Sequence, residues 1–105
     1  MGDVPNGNRL IGDPPKRRGQ KMFYTYILKS QKNGSLYIGS TDNLKRRFIE
    51  HNKGLGGVYT KNNRPFILIY YEAYLSYKDA KLSEKFYKTG YGREVLKGKL
   101  KNYLK

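Results

Sequence analysis

The sequence predicts an α+β domain in which strands and helices follow one another as ββαβαα. Three observations carry this. Two runs rich in aromatic and β-branched residues flank an Asn-Gly pair, a longer run of the same kind, FILIYYEAY, comes later, and apolar residues recur at helical spacing between and after these runs.

In order, Met1 to Lys21 holds three of the four prolines and four of the twelve glycines with almost no periodic apolar pattern. It reads as a disordered, basic, Pro-Gly-rich tail, so the domain is expected over residues 22–105. Phe23 to Lys29 is apolar on both alternate faces, as suits a strand covered on both sides. Lys32-Asn33-Gly34-Ser35 tolerates positive φ, so the chain reverses there and returns as Leu36 to Gly39. A loop of even length, such as Gln31 to Gly34, puts Tyr26, Tyr37 and Gly39 on one face. Gly39, lacking a side chain, is then expected to leave open space where a substrate backbone could approach.

Asp42 is the expected N-cap of a helix from Asn43 to Lys53, which Gly54 stops. Leu44, Phe48, His51 and Leu55 fall on one stripe with Arg47 on its flank, while Lys45, Arg46, Glu50 and Lys53 face away. Leu55 to Pro65 reads as a loop carrying Lys61 and Arg64 with Tyr59 between them, a composition that can hold a nucleic-acid backbone and stack on a base. Phe66 to Tyr74 is the third strand and the bulk of the core. Ser76-Tyr77-Lys78-Asp79 has capping-box spacing and opens a helix to Lys88 or Thr89, with Glu84 at the edge of its small-residue face and Leu82 and Phe86 nearly opposite, so the helix is expected to pack on two sides. A last helix, Arg93 to Leu104, carries a basic side.

Composition narrows the chemistry. Lys and Arg outnumber Asp and Glu by 22 to 8, a formal net charge of +14, which draws the protein to polyanions through a long-range, salt-sensitive field. Nucleic acid is therefore the expected partner. No run approaches the ~20 apolar residues that span a bilayer and no signal-peptide core stands at the N-terminus, so the expectation is a cytoplasmic protein with no membrane partner. Zero cysteines exclude a disulfide framework, a thiolate nucleophile and Cys-type zinc, and one histidine excludes a multi-His metal centre.

Tyr24-Thr25-Tyr26, then Tyr37-Ile38-Gly39 after a hairpin, Arg47 ten residues past Tyr37, His51 four further on, and Glu84 on a later capped helix together resemble the GIY-YIG nuclease superfamily. The likeness is to its small stand-alone members, similar to the N-terminal domain of excinuclease C, and runs from Met22 to about Leu104. The resemblance implies a three-stranded antiparallel sheet flanked by helices and a metal-dependent endonuclease that hydrolyses DNA phosphodiester bonds, which puts DNA ahead of RNA as the partner. Branched, damaged or single-stranded DNA are the candidate substrates, with DNA repair the setting and a protein partner a candidate source of targeting. It also implies that Glu84 holds one divalent ion, Mg2+ or Mn2+, that Tyr26 and Tyr37 orient and deprotonate the attacking water, and that Arg47 stabilises developing phosphoryl charge. His51 either assists proton transfer or contacts the phosphate. Gly39, Lys61, Arg64, Lys88 and Arg93 are the expected nucleic-acid contacts.

These residue types suit that chemistry. A hard cation takes oxygen ligands and keeps positions open for water and phosphate, and arginine offers planar, always-charged donors to a phosphoryl oxygen. Tyrosine, with a reference pKa of about 10, is a poor base at neutral pH unless cations lie nearby. The alternative reading is a nucleic-acid-binding module with the nuclease fold and little or no turnover. Singly, the tyrosines also read as sheet aromatics, His51 as a core or capping histidine, and Arg47 as a structural ion-pair partner of Glu84. Two departures stand out: Tyr24-Thr25 replaces the Gly-Ile of the first motif, and Ser40 stands where excinuclease-type members often have lysine.

Overall fold

The computed structural model describes residues 21–105. The expected tail lies outside the described residues except for Lys21, which pairs with Asp42 at 2.8 Å. The chain forms strand β1 (Phe23–Ser30), β2 (Leu36–Thr41), helix α1 (Leu44–Asn52), α2 (Val58–Asn63), β3 (Phe66–Tyr74), α3 (Tyr77–Tyr87), α4 (Gly90–Lys99) and a one-turn α5 (Lys101–Leu104). The three strands make one antiparallel sheet in the order β2-β1-β3. That is the predicted α+β class.

The central place of β1 explains why it is apolar on both faces. Residues of one parity, Tyr26 and Leu28, join Phe66, Leu68, Tyr37, Leu44 and Phe48 beneath α1. The other parity sends Ile27, with Ile38, against Tyr87 of α3 and Leu96 of α4. Pairing of Tyr26 with Gly39 and of Leu28 with Tyr37 puts both phenols on the α1 side, as the even-length turn requires. A register shift after Ile27 lets Tyr70 pair with Ile27 and Leu68 with Leu28, leaving Ile69 as the extra residue of a bulge.

Several local expectations are corrected. Asn43, not Asp42, caps α1, its side chain accepting from the Arg46 N–H at 3.0 Å, while Asp42 is drawn off by Lys21 and Arg46. The stretch expected to be a loop contains α2. A six-residue helix gains little from propensity, and tertiary bonds hold this one: Ser30 Oγ donates to the Asn63 carbonyl at 2.6 Å, and Thr60 is fully buried. Ser76 is the N-cap of α3 but makes no side-chain bond, so the capping box does not form. Leu82 and Phe86 are exposed, so α3 packs on one side only. The last helix starts at Gly90 behind a Thr89 cap that accepts from the Gly92 N–H at 2.9 Å, and it breaks at Leu100. Among the described residues no helix is long and apolar enough to cross a membrane.

Candidate active site

β1 and β2 place Tyr26 and Tyr37 side by side, ring centroids 6.3 Å apart, and α1 lowers His51 between them, 4.9 Å from Tyr37 and 5.8 Å from Tyr26. Tyr26 and His51 are almost wholly buried, whereas Tyr37 is half-buried. Tyr26 Oη lies 2.8 Å from His51 Nε2, and His51 Nδ1 lies 3.0 Å from Thr60 Oγ1. The Thr60 hydroxyl donates onward to the Gly57 carbonyl at 3.4 Å, so its oxygen accepts from Nδ1–H. Nε2 is then left to accept the Tyr26 proton. This assigns the tautomer through the network.

Two glycines permit that closeness. A Cβ on Gly39 would stand 2.5 Å from Tyr26 Oη and 2.6 Å from Cζ, so the ring lies across the glycine. The open space expected beside the phenols is therefore filled by Tyr26 itself, and buried Gly39 offers no approach to a substrate backbone. A Cβ on Gly56 would collide with the His51 ring, so the loop before α2 closes directly over the imidazole.

The electrostatics follow from this sealing. Burial pushes the Tyr26 pKa up, the Tyr37 phenol adds to the rise, and the neighbouring Arg47 guanidinium only partly offsets it. Burial and the Arg47 charge push His51 down to about 4. The resting pair is neutral, with the proton on Tyr26. His51 itself exposes no surface to solvent.

Arg47 lies beside the Tyr26 hydroxyl and donates from Nη1 to Glu50 Oε1 at 3.0 Å. The expected alternative partner, Glu84, is elsewhere. Glu84 sits on α3, across the edge strand from the phenols, where its Oε1 accepts from Ser40 Oγ at 2.6 Å and Lys81 Nζ at 3.1 Å and its Oε2 from Lys88 Nζ at 2.7 Å. Burial would raise this carboxyl, but the bonds from Lys88, Ser40 and Lys81 outweigh it and hold the pKa below the usual range. Glu84 still exerts its charge on Tyr26, because β2 is the sheet edge and the two flank the same strand. Among the described residues no group of three His, Cys, Asp or Glu could hold a metal. One carboxylate and the adjacent Ser40 hydroxyl are nonetheless oxygen donors of the right hardness, and the lysines that cover them are about half exposed.

Along the free edge of β2 runs a groove of about 660 Å3 that brings Lys88, Arg93 and Lys97 opposite Tyr37 and Tyr59. Lys61 and Arg64 are not part of it; both lie over the Gly54 turn at the end of α1. Sequence reasoning missed Thr60 and Lys81, had Ser40 only as a departure from the family pattern, and had Lys88 as a nucleic-acid contact rather than as a partner of Glu84. Lys81 and Lys88 had a signal, since positions three before and four after Glu84 share its helix flank. Thr60 had none.

The fold and this cluster define a class. The GIY-YIG catalytic domain family matches residues 22–99, most of the chain, and the protein belongs to the GIY-YIG nuclease superfamily. Within it the relatives are UPF0213 proteins. The chain is 42% identical over 74 residues to the UPF0213 protein of Staphylococcus haemolyticus, covering 70% of this chain and 89% of that one. It is 43% identical over 77 residues to one from Pediococcus acidilactici, covering 71% and 78%, and 42% identical over 67 residues to one from Clostridium perfringens, covering 64% and 71%. No solved structure matches the chain.

Proposed function

We propose that the protein is a metal-dependent endonuclease that hydrolyses DNA phosphodiester bonds, with branched, damaged or single-stranded DNA as substrate and DNA repair in the cytoplasm as its setting. The observation that carries this reading is the cluster of Tyr26, Tyr37, His51 and Arg47 at a basic sheet edge, with Glu84 close enough across that edge for its charge to act on Tyr26.

In this reading Glu84, assisted by Ser40, holds a single Mg2+ or Mn2+, which supplies Lewis-acid stabilisation of phosphoryl charge when bound. Tyr37, the phenol that lines the groove, orients the attacking water. Tyr26 is shielded from solvent, and its hydroxyl donates to Nε2 of a neutral His51, whose own Nδ1 proton Thr60 keeps in place. Arg47 presents a guanidinium to the phosphoryl oxygens and favours the phenolate form of Tyr26. Lys88 and Arg93 hold flanking phosphates along the edge, and Lys61 and Arg64 form a second basic spot.

One observation favours the alternative of a binding module without turnover. Both Glu84 oxygens are already taken by lysines, so a metal must displace them. Cleavage of duplex, single-stranded, flap and junction DNA by wild type and Glu84→Ala, with each metal and with EDTA, separates the two. The nuclease reading expects metal-dependent cutting that Glu84→Ala reduces by at least ~100-fold, while binding persists. Tight binding with no cutting under any divalent ion selects the binding module.

A further inference from the structure

The β2-edge groove joins a stacked aromatic pair to uncompensated positive charge. Tyr37 and Tyr59 lie 5.9 Å apart between centroids and only 21° from parallel. Tyr37 is anchored inward by its edge contact with His51, so the stack starts in the buried cluster and grows outward. Tyr59 is its outer member, 43% exposed, and its hydroxyl is fixed by donation to Ser35 Oγ at 2.5 Å. Both rings are thus held while one aromatic face remains available at the mouth of the groove.

Across the groove stand Arg93 and Lys97 from α4. Arg93 has no carboxylate partner among the described residues, and Lys97 has only the 3.5 Å contact with exposed Glu94, which water and salt screen. A flat face beside cations is the arrangement that single-stranded nucleic acid needs: a base stacks on the ring and the backbone charge meets the basic wall. In a duplex those base faces are occupied by their neighbours, and only edges are presented.

We propose that Tyr59 is the stacking platform for an unpaired nucleobase, with Arg93 and Lys97 on the adjoining phosphates, so that the site engages a single strand or an unpaired end in preference to a continuous duplex. This rests on the nucleic-acid reading above and assigns roles to Tyr59 and Lys97 that the catalytic cluster does not require.

The test is binding in EDTA, where no cleavage interferes. Single-stranded DNA carrying 2-aminopurine and a duplex of equal length are titrated with wild type, Tyr59→Phe and Tyr59→Ala, each first checked for an unchanged circular-dichroism spectrum. Tyr59→Phe keeps the ring without its hydroxyl. The expected result is 2-aminopurine quenching by wild type and Tyr59→Phe, lost in Tyr59→Ala together with roughly 5- to 150-fold of single-strand affinity, while duplex affinity changes less than threefold. Equal losses for single strand and duplex, or none for either, overturn the platform and leave the nucleic-acid reading standing. Absence of wild-type binding to either DNA overturns both.

Discussion

At the scale of single residues the tightest constraint is on His51, which is fully buried with both ring nitrogens bonded to neutral hydroxyls. Such a ring must stay neutral, and burial pushes its pKa from 6.5 down to about 4. Below about pH 6.5 the unfolded chain takes up a proton that the folded protein refuses, so stability falls as pH drops and levels off below about 4. The full loss is about 3 kcal/mol, readable by urea unfolding at pH 8, 6 and 4; a flat profile between 7 and 4.5 contradicts it. Thr60 holds the Nδ1 proton, so Thr60→Val keeps the shape but strands a buried donor. It is expected to cost about 1–3 kcal/mol and to change the 15N shifts of the imidazole, which a pure packing defect would leave in place. The sequence showed that His51 turns toward the sheet, because it shares the apolar stripe of Leu44 and Phe48. It could not show that the imidazole is sealed, because the sealing groups, Gly56 and Thr60, come from a segment without helical periodicity.

Among the elements, α3 matters most, since it carries Glu84. Its position is set from β3 by Glu72, whose carboxylate accepts from Tyr70 and Tyr74 at 2.5 Å on its own strand, and from Ser83 at 2.8 Å and Tyr87 at 2.5 Å on α3. Thr25 of the central strand adds a bond to the Ala80 carbonyl at 2.7 Å. Burial would raise the Glu72 carboxyl, but the donations from Tyr70, Tyr74, Tyr87 and Ser83 win and hold its pKa at about 2. Its contribution is present above the unfolded carboxylate range and disappears as pH falls from about 4.5 toward 2, a window below that of His51. Glu72→Gln is expected to lose about 2 kcal/mol at pH 7 and to flatten the acid limb between pH 4.5 and 2 while leaving the limb above 4.5 intact. If the lower limb keeps its full slope in the variant, Glu72 is not the group that titrates there; a smaller remainder belongs to Glu84, whose carboxyl is also held low. The strands were legible as aromatic and β-branched runs bounded by turn residues, and α1 because its apolar period of 3.6 is unbroken. α2 was not, since the glycines before it and its own asparagines spell a loop and its helix depends on bonds to Ser30 and His51 from outside it. The start of α4 was misplaced because Gly90 reads as a stop signal, although Thr89 just before it carries the capping information.

For the whole molecule the governing quantity is the net charge of +14, which by itself makes binding to any polyanion attractive and unspecific. What turns attraction into a site is where charge lacks a local answer. Lys81 and Lys88 are answered by Glu84, and Arg46 and Arg47 by Asp42 and Glu50. Arg93 and Lys97, unanswered or nearly so among the described residues, remain to meet phosphate along the β2 edge. A strand tracked by Arg93 and Lys97, with Lys88 turning from Glu84 to a third phosphate, neutralises about three phosphates, so the logarithm of its affinity should fall with the logarithm of salt at a slope of about −2, each contact contributing about 0.7. Replacing Arg93 and Lys97 together with alanine should bring that slope to about −0.7 and weaken all single-stranded sequences alike, because phosphate contacts position a strand without reading its bases. Anisotropy titrations of a labelled oligonucleotide between 50 and about 300 mM KCl measure this directly. A slope unchanged by the double substitution would move the phosphate track to the opposite end of α1, where Lys61 and Arg64 crowd the Gly54 turn. Replacing those two should then lower the slope instead, and the groove beside Tyr59 would no longer be the path of the strand.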